Sequence, residues 1–176
     1  FTVAQFRQTS NAGMMLLGNI ALDHELKPLS EKYFTELPQS FQESALLDRF
    51  HGFIEGWRLP RINESLKVRG YTLNVEYFSE ILHSLREASD CSAVIDDLLE
   101  IERQADTRDT TAIKRCASAY LKLLFPHVKS SNDISKTDFE IFCLRPAIEK
   151  RRIIRHQIHL IDKEFKETLP EIKLKE

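Results

Sequence analysis

Three residues, Asn19, Arg49 and Arg108, combine a side chain and a position from which ligand chemistry can be argued. Asn19 follows the apolar run Met14-Met15-Leu16-Leu17-Gly18, and open parallel sheets place ligand-contacting residues at the carboxyl ends of their strands. An Asn there is also an ordinary turn residue. Arg49 closes the amphipathic run Leu46-Leu47-Asp48-Arg49-Phe50, where the helix dipole favours any cation. Its guanidinium is also permanently charged, and its planar fork of donors suits phosphoryl oxygens. Arg108 opens a helix, a place where positive charge is mildly unfavourable and an anionic ligand would account for it. Arg103 and Arg115 lie close enough in sequence to be alternatives.

Two further groups have simpler readings. Arg145, Lys150, Arg151, Arg152, Arg155 and Lys163 make one helix basic. Glu149, Asp162 and Glu164 interleave with them and no aromatic is placed to stack on bases, so the expectation is a solvated face rather than a nucleic-acid site. His156 and His159 are three apart on that helix, but no third ligand stands at a metal-site spacing, so they read as surface residues.

The elements that must position these residues divide near Pro60 to Gly70. Before it, alternation from Phe1 to Phe6 and the uninterrupted run Met14 to Leu17 both read as strands. Glu31 to Leu37 reads as a short helix ended by Pro38. Ser40 to Phe50 reads as another, with Ser40 as N-cap and Glu43 at the capping-box position. Phe53 to Trp57 reads as a further strand, with Trp57 in the core. After the division only helical periodicity remains. Helices are expected from Asn74 to about Ala88 (Val75, Phe78, Ile81, Leu82 and Leu85 inward), Ala93 to Gln104, Asp109 to Phe125 and Asp133 to Leu144. A fifth, opened by Pro146, is expected to reach Phe165 with Ile154, Ile158, Ile161 and Phe165 as its stripe.

Composition agrees with a mainly α chain. Among 176 residues there are only 5 Gly and 6 Pro, too few for the turns of a many-stranded β fold. The net charge of −2 supplies no global field for nucleic acid. Three widely spaced cysteines, Cys91, Cys116 and Cys143, fit neither a disulfide framework nor a zinc ribbon, which points to a reducing cytoplasm. No apolar stretch has the length to cross a membrane. The chain starts at Phe1 in the middle of a pattern, so we expect a piece of a longer protein.

Taken in order, the segments resemble the second half of an AAA+ ATPase module. Met14 to Asn19 looks like the strand ending in the sensor-1 Asn, and Ala45 to Phe50 like the helix end bearing the arginine finger. Phe53 to Trp57 then corresponds to the last strand of the large subdomain, and the later helices to the lid. Gly18-Asn19-Ile20, Phe34-Thr35-Glu36-Leu37-Pro38, the stretch from Leu47 to Trp57 and Leu59-Pro60-Arg61-Ile62-Asn63 more specifically resemble the Lon-like ATPase family of the BREX phage-defence systems. The resemblance implies the remnant of an α/β large subdomain over residues 1–62 and a helical lid with its C-terminal helix over 63–176. It also implies ATP with Mg²⁺, a homo-oligomeric ring, and DNA or polypeptide as the threaded polymer. Asn19 would orient the attacking water, Arg49 would reach the γ-phosphate of the neighbouring subunit, and Arg108 would report nucleotide state to its own lid.

The chain departs from that pattern in lacking a G-x-x-x-x-G-K-[ST] loop, a Walker-B strand and a recognisable Ser-Lys dyad. Alone it is therefore expected to bind no nucleotide specifically and to hydrolyse neither ATP nor peptide. Without the strand that normally separates them, the runs at Met14 and Phe53 are expected to rearrange or to pair between molecules. A different class of reading, a non-enzymatic interaction domain, would use the basic fifth helix to bind DNA or protein.

Overall fold

The computed structural model describes residues 13–86 and 90–175. The strand expected at Phe1 to Phe6 lies outside them. The described chain is mainly α, and its one sheet is a two-stranded antiparallel ribbon. In chain order the elements are α1 (Ser44–Leu47), α2 (Val75–Arg86), α3 (Asp90–Leu98), β1 (Leu99–Ile101), α4 (Thr107–Leu124), α5 (Lys136–Phe139), a π turn (Glu140–Leu144), α6 (Arg145–Ile161) and β2 (Ile172–Leu174), with short 3₁₀ turns between several of them.

Helix α4 forms the centre, packed against α3, the π turn and α6. Its N-cap Asp106 accepts the Arg108 N–H at 2.7 Å, satisfying one of the first-turn donors that a helix leaves open. Ile113, Ala117 and Leu121 recur at steps of four and bury completely against Ile95, Leu98, Phe139, Cys143 and Ala147. Leu124, expected on the same stripe, is half exposed because the helix ends there. All three cysteines are free thiols, and burial pushes that of Cys143 up to about 11.

A second core joins the N-terminal half to α6, with Phe34, Leu47, Ile154 and Ile158 closed to solvent and Phe50, Phe53 and Phe165 at its rim. Tyr33 stacks on Phe53 with centroids 5.5 Å apart and meets Trp57 edge-on at 5.0 Å. Gln157, buried on α6, donates to the Glu31 carbonyl and accepts the Tyr33 N–H, both at 2.7 Å. Side-chain packing on α6, rather than sheet pairing, thus holds this half of the chain.

That packing accounts for several differences from the sequence expectations. Neither Met14–Leu17 nor Phe53–Trp57 is a strand. A strand needs a neighbour to bond its edges, and none lies beside either run among the described residues, so Met14, Met15 and Leu17 stay exposed. Trp57 sits in a 3₁₀ turn, Gly56–Arg58, with its ring against aromatic neighbours. The helix expected from Ser40 to Phe50 shrinks to the four residues of α1 with Glu43 at its N-cap, and Ser40 belongs to a 3₁₀ turn following Pro38. Glu31 to Leu37 is a 3₁₀ turn over Tyr33–Glu36.

Helix α3 stops at Leu98 because Leu99 and Ile101 pair with Leu174 and Ile172, a tertiary contact that overrides the helical spacing expected to continue to Gln104. The expected fourth and fifth helices form one continuous rod, Lys136 to Ile161, through the π turn. Inside a regular α-helix Pro146 would clash with the carbonyl four residues back. The wider turn, in which the Arg145 N–H bonds the Glu140 carbonyl, lets the chain continue through it. The rod stops at Ile161, so Phe165 reaches the second core from the segment that follows. Finally, α2 forms with Asn74 as its cap, but its apolar stripe is open. Val75 is 76% exposed, while Phe78, Ile81 and Leu82 are only partly covered, Leu82 and Leu85 lining a groove with residues of α3 and α4.

Candidate functional site

The end of α1 meets α4 and α6 at a cluster of six charges. Arg151 of α6 is fully buried and distributes its donors in four directions. Nε donates to Asp109 Oδ1 at 2.6 Å, Nη2 to Asp48 Oδ1 at 2.6 Å, and Nη1 to the carbonyls of Asp48 (3.1 Å) and Phe50 (2.7 Å). Arg155, one turn later, places Nε 2.9 Å and Nη2 2.7 Å from Asp109 Oδ2, with Nη2 also 3.3 Å from Asp106. Arg108 completes the set from α4, donating to Asp48 Oδ2 at 2.6 Å. Three carboxylates thus face three guanidiniums, and no buried side-chain polar atom among the described residues lacks a partner. Buried charge is tolerable only when paired and hydrogen-bonded in this way.

The electrostatics follow the geometry. Burial pushes the Asp106 carboxyl up, but the Arg108 N–H, Arg155 and the Asp109 N–H outweigh it and hold it below the usual range. The bond to Asp48 keeps the Arg108 proton more firmly than usual. Beside the cluster His51 accepts from Arg115 Nη1 at 3.0 Å through Nε2. Partial burial, then Arg115 and Arg151, depress its pKa, so it remains neutral where an ordinary His begins to charge.

The proposed site residues occupy different places in this arrangement. Arg49 is exposed, and its guanidinium bonds only the Ala45 carbonyl of its own turn, with no carboxylate partner among the described residues. Arg108 is tied to Asp48, the residue immediately before Arg49, yet its side chain is still 46% exposed, leaving donors open to solvent. Of the alternatives to Arg108, Arg115 is engaged by His51 and Arg103 is exposed beyond β1. Asn19 lies on an exposed, irregular segment and makes no hydrogen bond to the cluster among the described residues. Arg108 therefore bonds the residue next to Arg49 without touching Arg49 itself, and Asn19 does not join them among the described residues.

Arg151 and Arg155 correct the expectation of a uniformly solvated basic helix, since both turn inward onto carboxylates. An interaction surface on that helix would be reduced to Arg145, Lys150 and Arg152, since Lys163 lies beyond its end at Ile161. His156 and His159 share Glu167, at 2.8 and 3.9 Å, and no metal-binding group of three such side chains occurs among the described residues. The cluster itself was readable in part. Ala147, Arg151, Ile154 and Ile158 follow steps of four, three and four, which puts Arg151 on the buried stripe, and Asp109 lies one turn before Ile113.

The family description "Lon-like protease BrxL-like, ATPase domain" matches residues 1–171. This chain belongs to that BrxL-like family. It is 30% identical to the Lon-like protease BrxL of Escherichia coli O9:H4 (strain HS) over 84% of its length, which is 20% of that relative. It is 26% identical to the Lon-like protease BrxL of Bacillus cereus (strain H3081.97) over 92% of its length, or 23% of that relative. The BrxL-like chain thus spans about a fifth of the length of these relatives. This BrxL-like ATPase-domain chain contains no G-x-x-x-x-G-K-[ST] phosphate loop. Among its described residues no helix is long and apolar enough to cross a membrane.

Proposed function

We propose that this chain is the sensor-1, arginine-finger and lid part of a ring-forming, cytoplasmic AAA+ ATPase of a BREX-type phage-defence system, which couples ATP hydrolysis to movement of DNA or polypeptide. Residues 1–62 complete the large subdomain and residues 63–176 form the lid. Asn19 orients the attacking water, Arg49 contacts the γ-phosphate bound by the neighbouring subunit, and Arg108 contacts nucleotide in its own subunit. Mg²⁺, when bound, would neutralise charge on the phosphates, and this chain carries no G-x-x-x-x-G-K-[ST] loop to help hold it.

The observation that carries the reading is the exposure of Arg49 on a fixed base. The residues on either side of it are pinned to α6, while its own charge faces solvent with no carboxylate partner among the described residues. A finger that acts across an interface needs both properties, a rigid root and a free guanidinium. A cation that only complemented a helix dipole would contribute about 0.3–1 kcal/mol to stability and nothing to chemistry.

Subunit mixing tests the assignment. Full-length Arg49→Ala and a full-length variant without its phosphate loop should each be inactive in ATP hydrolysis, and mixed rings should recover some activity at interfaces that join an intact loop to an intact finger. Mixed rings that stay inactive, although both variants co-assemble, would count against a finger acting in trans.

A further inference from the structure

We infer that Arg151 is the positioning residue for Arg49, an inference that rests on the finger reading above. Its Nη1 bonds the carbonyls of Asp48 and Phe50, the two residues that flank Arg49, while Nη2 holds the Asp48 carboxylate and Nε anchors the guanidinium to Asp109 on α4. One planar group thus joins both sides of the Arg49 peptide unit to two lid helices. Arg49 itself contributes nothing to this clasp, since its side chain bonds back only to Ala45.

Fold stability alone does not call for an arginine here. Position 151 lies on the same stripe as Ala147, Ile154 and Ile158, all closed to solvent. Well-packed apolar side chains in place of a buried ion pair are often as stable or more stable, because the pair must first lose its water. What an aliphatic residue cannot supply is a set of directional bonds to two main-chain carbonyls. Those bonds fix where the Arg49 Cα sits and, through Asp109, carry any shift of α4 to it. Lysine cannot replace them, since a single ammonium on a flexible stem cannot reach two carboxylates and two carbonyls at once.

The test is a double-variant cycle in the full-length assembled protein, comparing Arg151→Lys, Arg49→Ala and their combination. Arg151→Lys should lower kcat on the order of 10²-fold, the effect of a displacement of roughly 1 Å at a reacting group, with the KM for ATP and ring assembly unchanged. In the Arg49→Ala background, Arg151→Lys should produce no further fall, because a positioning residue has nothing left to position. Wild-type kcat in Arg151→Lys rings, or an equal fall in both backgrounds, would overturn the inference. If Arg151→Lys does not assemble, Asp48→Asn, which keeps the side-chain shape but weakens the same clasp, runs through the same cycle with the same outcomes. Should Arg49→Ala alone hydrolyse ATP at the wild-type rate, the finger reading and this inference fall together. An inactive Arg49→Ala beside a fully active Arg151→Lys removes the inference and leaves the reading in place.

Discussion

Arg151 Nη2 lies 2.6 Å from Asp48 Oδ1, and both side chains are closed to solvent. Removing one member of such a pair leaves the other charged and buried, which is far more damaging than losing a surface bridge. Asp48→Ala should therefore lower the stability of the chain by about 3–5 kcal/mol. Arg108→Ala, which removes a half-exposed partner of the same carboxylate, should change it much less. Urea denaturation of the two variants side by side checks the ranking, and equal midpoints would contradict it.

Gly52 makes a separate point about the same junction. A Cβ at this position would stand 2.9 Å from Lys150 Cβ and 3.8 Å from the Lys150 carbonyl carbon, so α1's following loop and α6 could not keep their approach. Gly52→Ala should destabilise the chain by roughly 1–3 kcal/mol, the usual range for overpacking. Thermal unfolding would show it, and an unchanged or raised midpoint would mean that the loop shifts freely.

Helix α2 should respond in the opposite way. Its periodicity reads as a core stripe, but Val75 is 76% exposed. Val75→Glu should alter stability by no more than about 0.5 kcal/mol, as for other surface substitutions. A loss of several kcal/mol would show that the stripe is covered in the folded chain.

His51 gives the chain an acid-sensitive contact. Its folded pKa lies below the ordinary 6.5 because partial burial, Arg115 and Arg151 all disfavour the imidazolium. Below 6.5 the unfolded chain then binds more protons than the folded one, so stability falls with pH from 6.5 down to the depressed folded value. His51→Gln should flatten that part of the profile. Glu167, held low chiefly by its bond from His156, adds an acid-labile contribution only in the carboxylate range, below its ordinary 4.5. Urea midpoints measured across this pH range would separate the two, and identical slopes for His51→Gln and the parent chain would contradict the His51 account.

Legibility from sequence followed the locality of the forces. Helices α3 and α4 could be read because Val94, Ile95 and Leu98, and likewise Ile113, Ala117 and Leu121, repeat at helical spacing and bury where that spacing puts them. The runs at Met14 and Phe53 misled because apolar continuity states only that a segment wants cover; whether strands or α6 provides it depends on distant residues. Pro146 read as a helix start because a proline is well placed there, whereas the π turn before it admits it to a helix interior. In the candidate site Arg49 and Arg108 were legible as exposed or end-of-helix cations. Asp48, Asp109, Arg151 and Arg155 escaped because their pairing spans up to 103 residues of sequence, although the stripe carrying Arg151 already marked it as inward.

The most direct measurement is the steady-state rate of ATP hydrolysis by full-length Arg49→Lys in rings whose assembly is verified by sedimentation. Lysine keeps the charge but loses the planar fork. The rate should fall by most of the 10³–10⁵-fold that such fingers contribute, in the order of magnitude known for trans-acting arginines, while ATP binding persists. An unchanged rate in intact rings would make Arg49 a surface cation and would contradict the account.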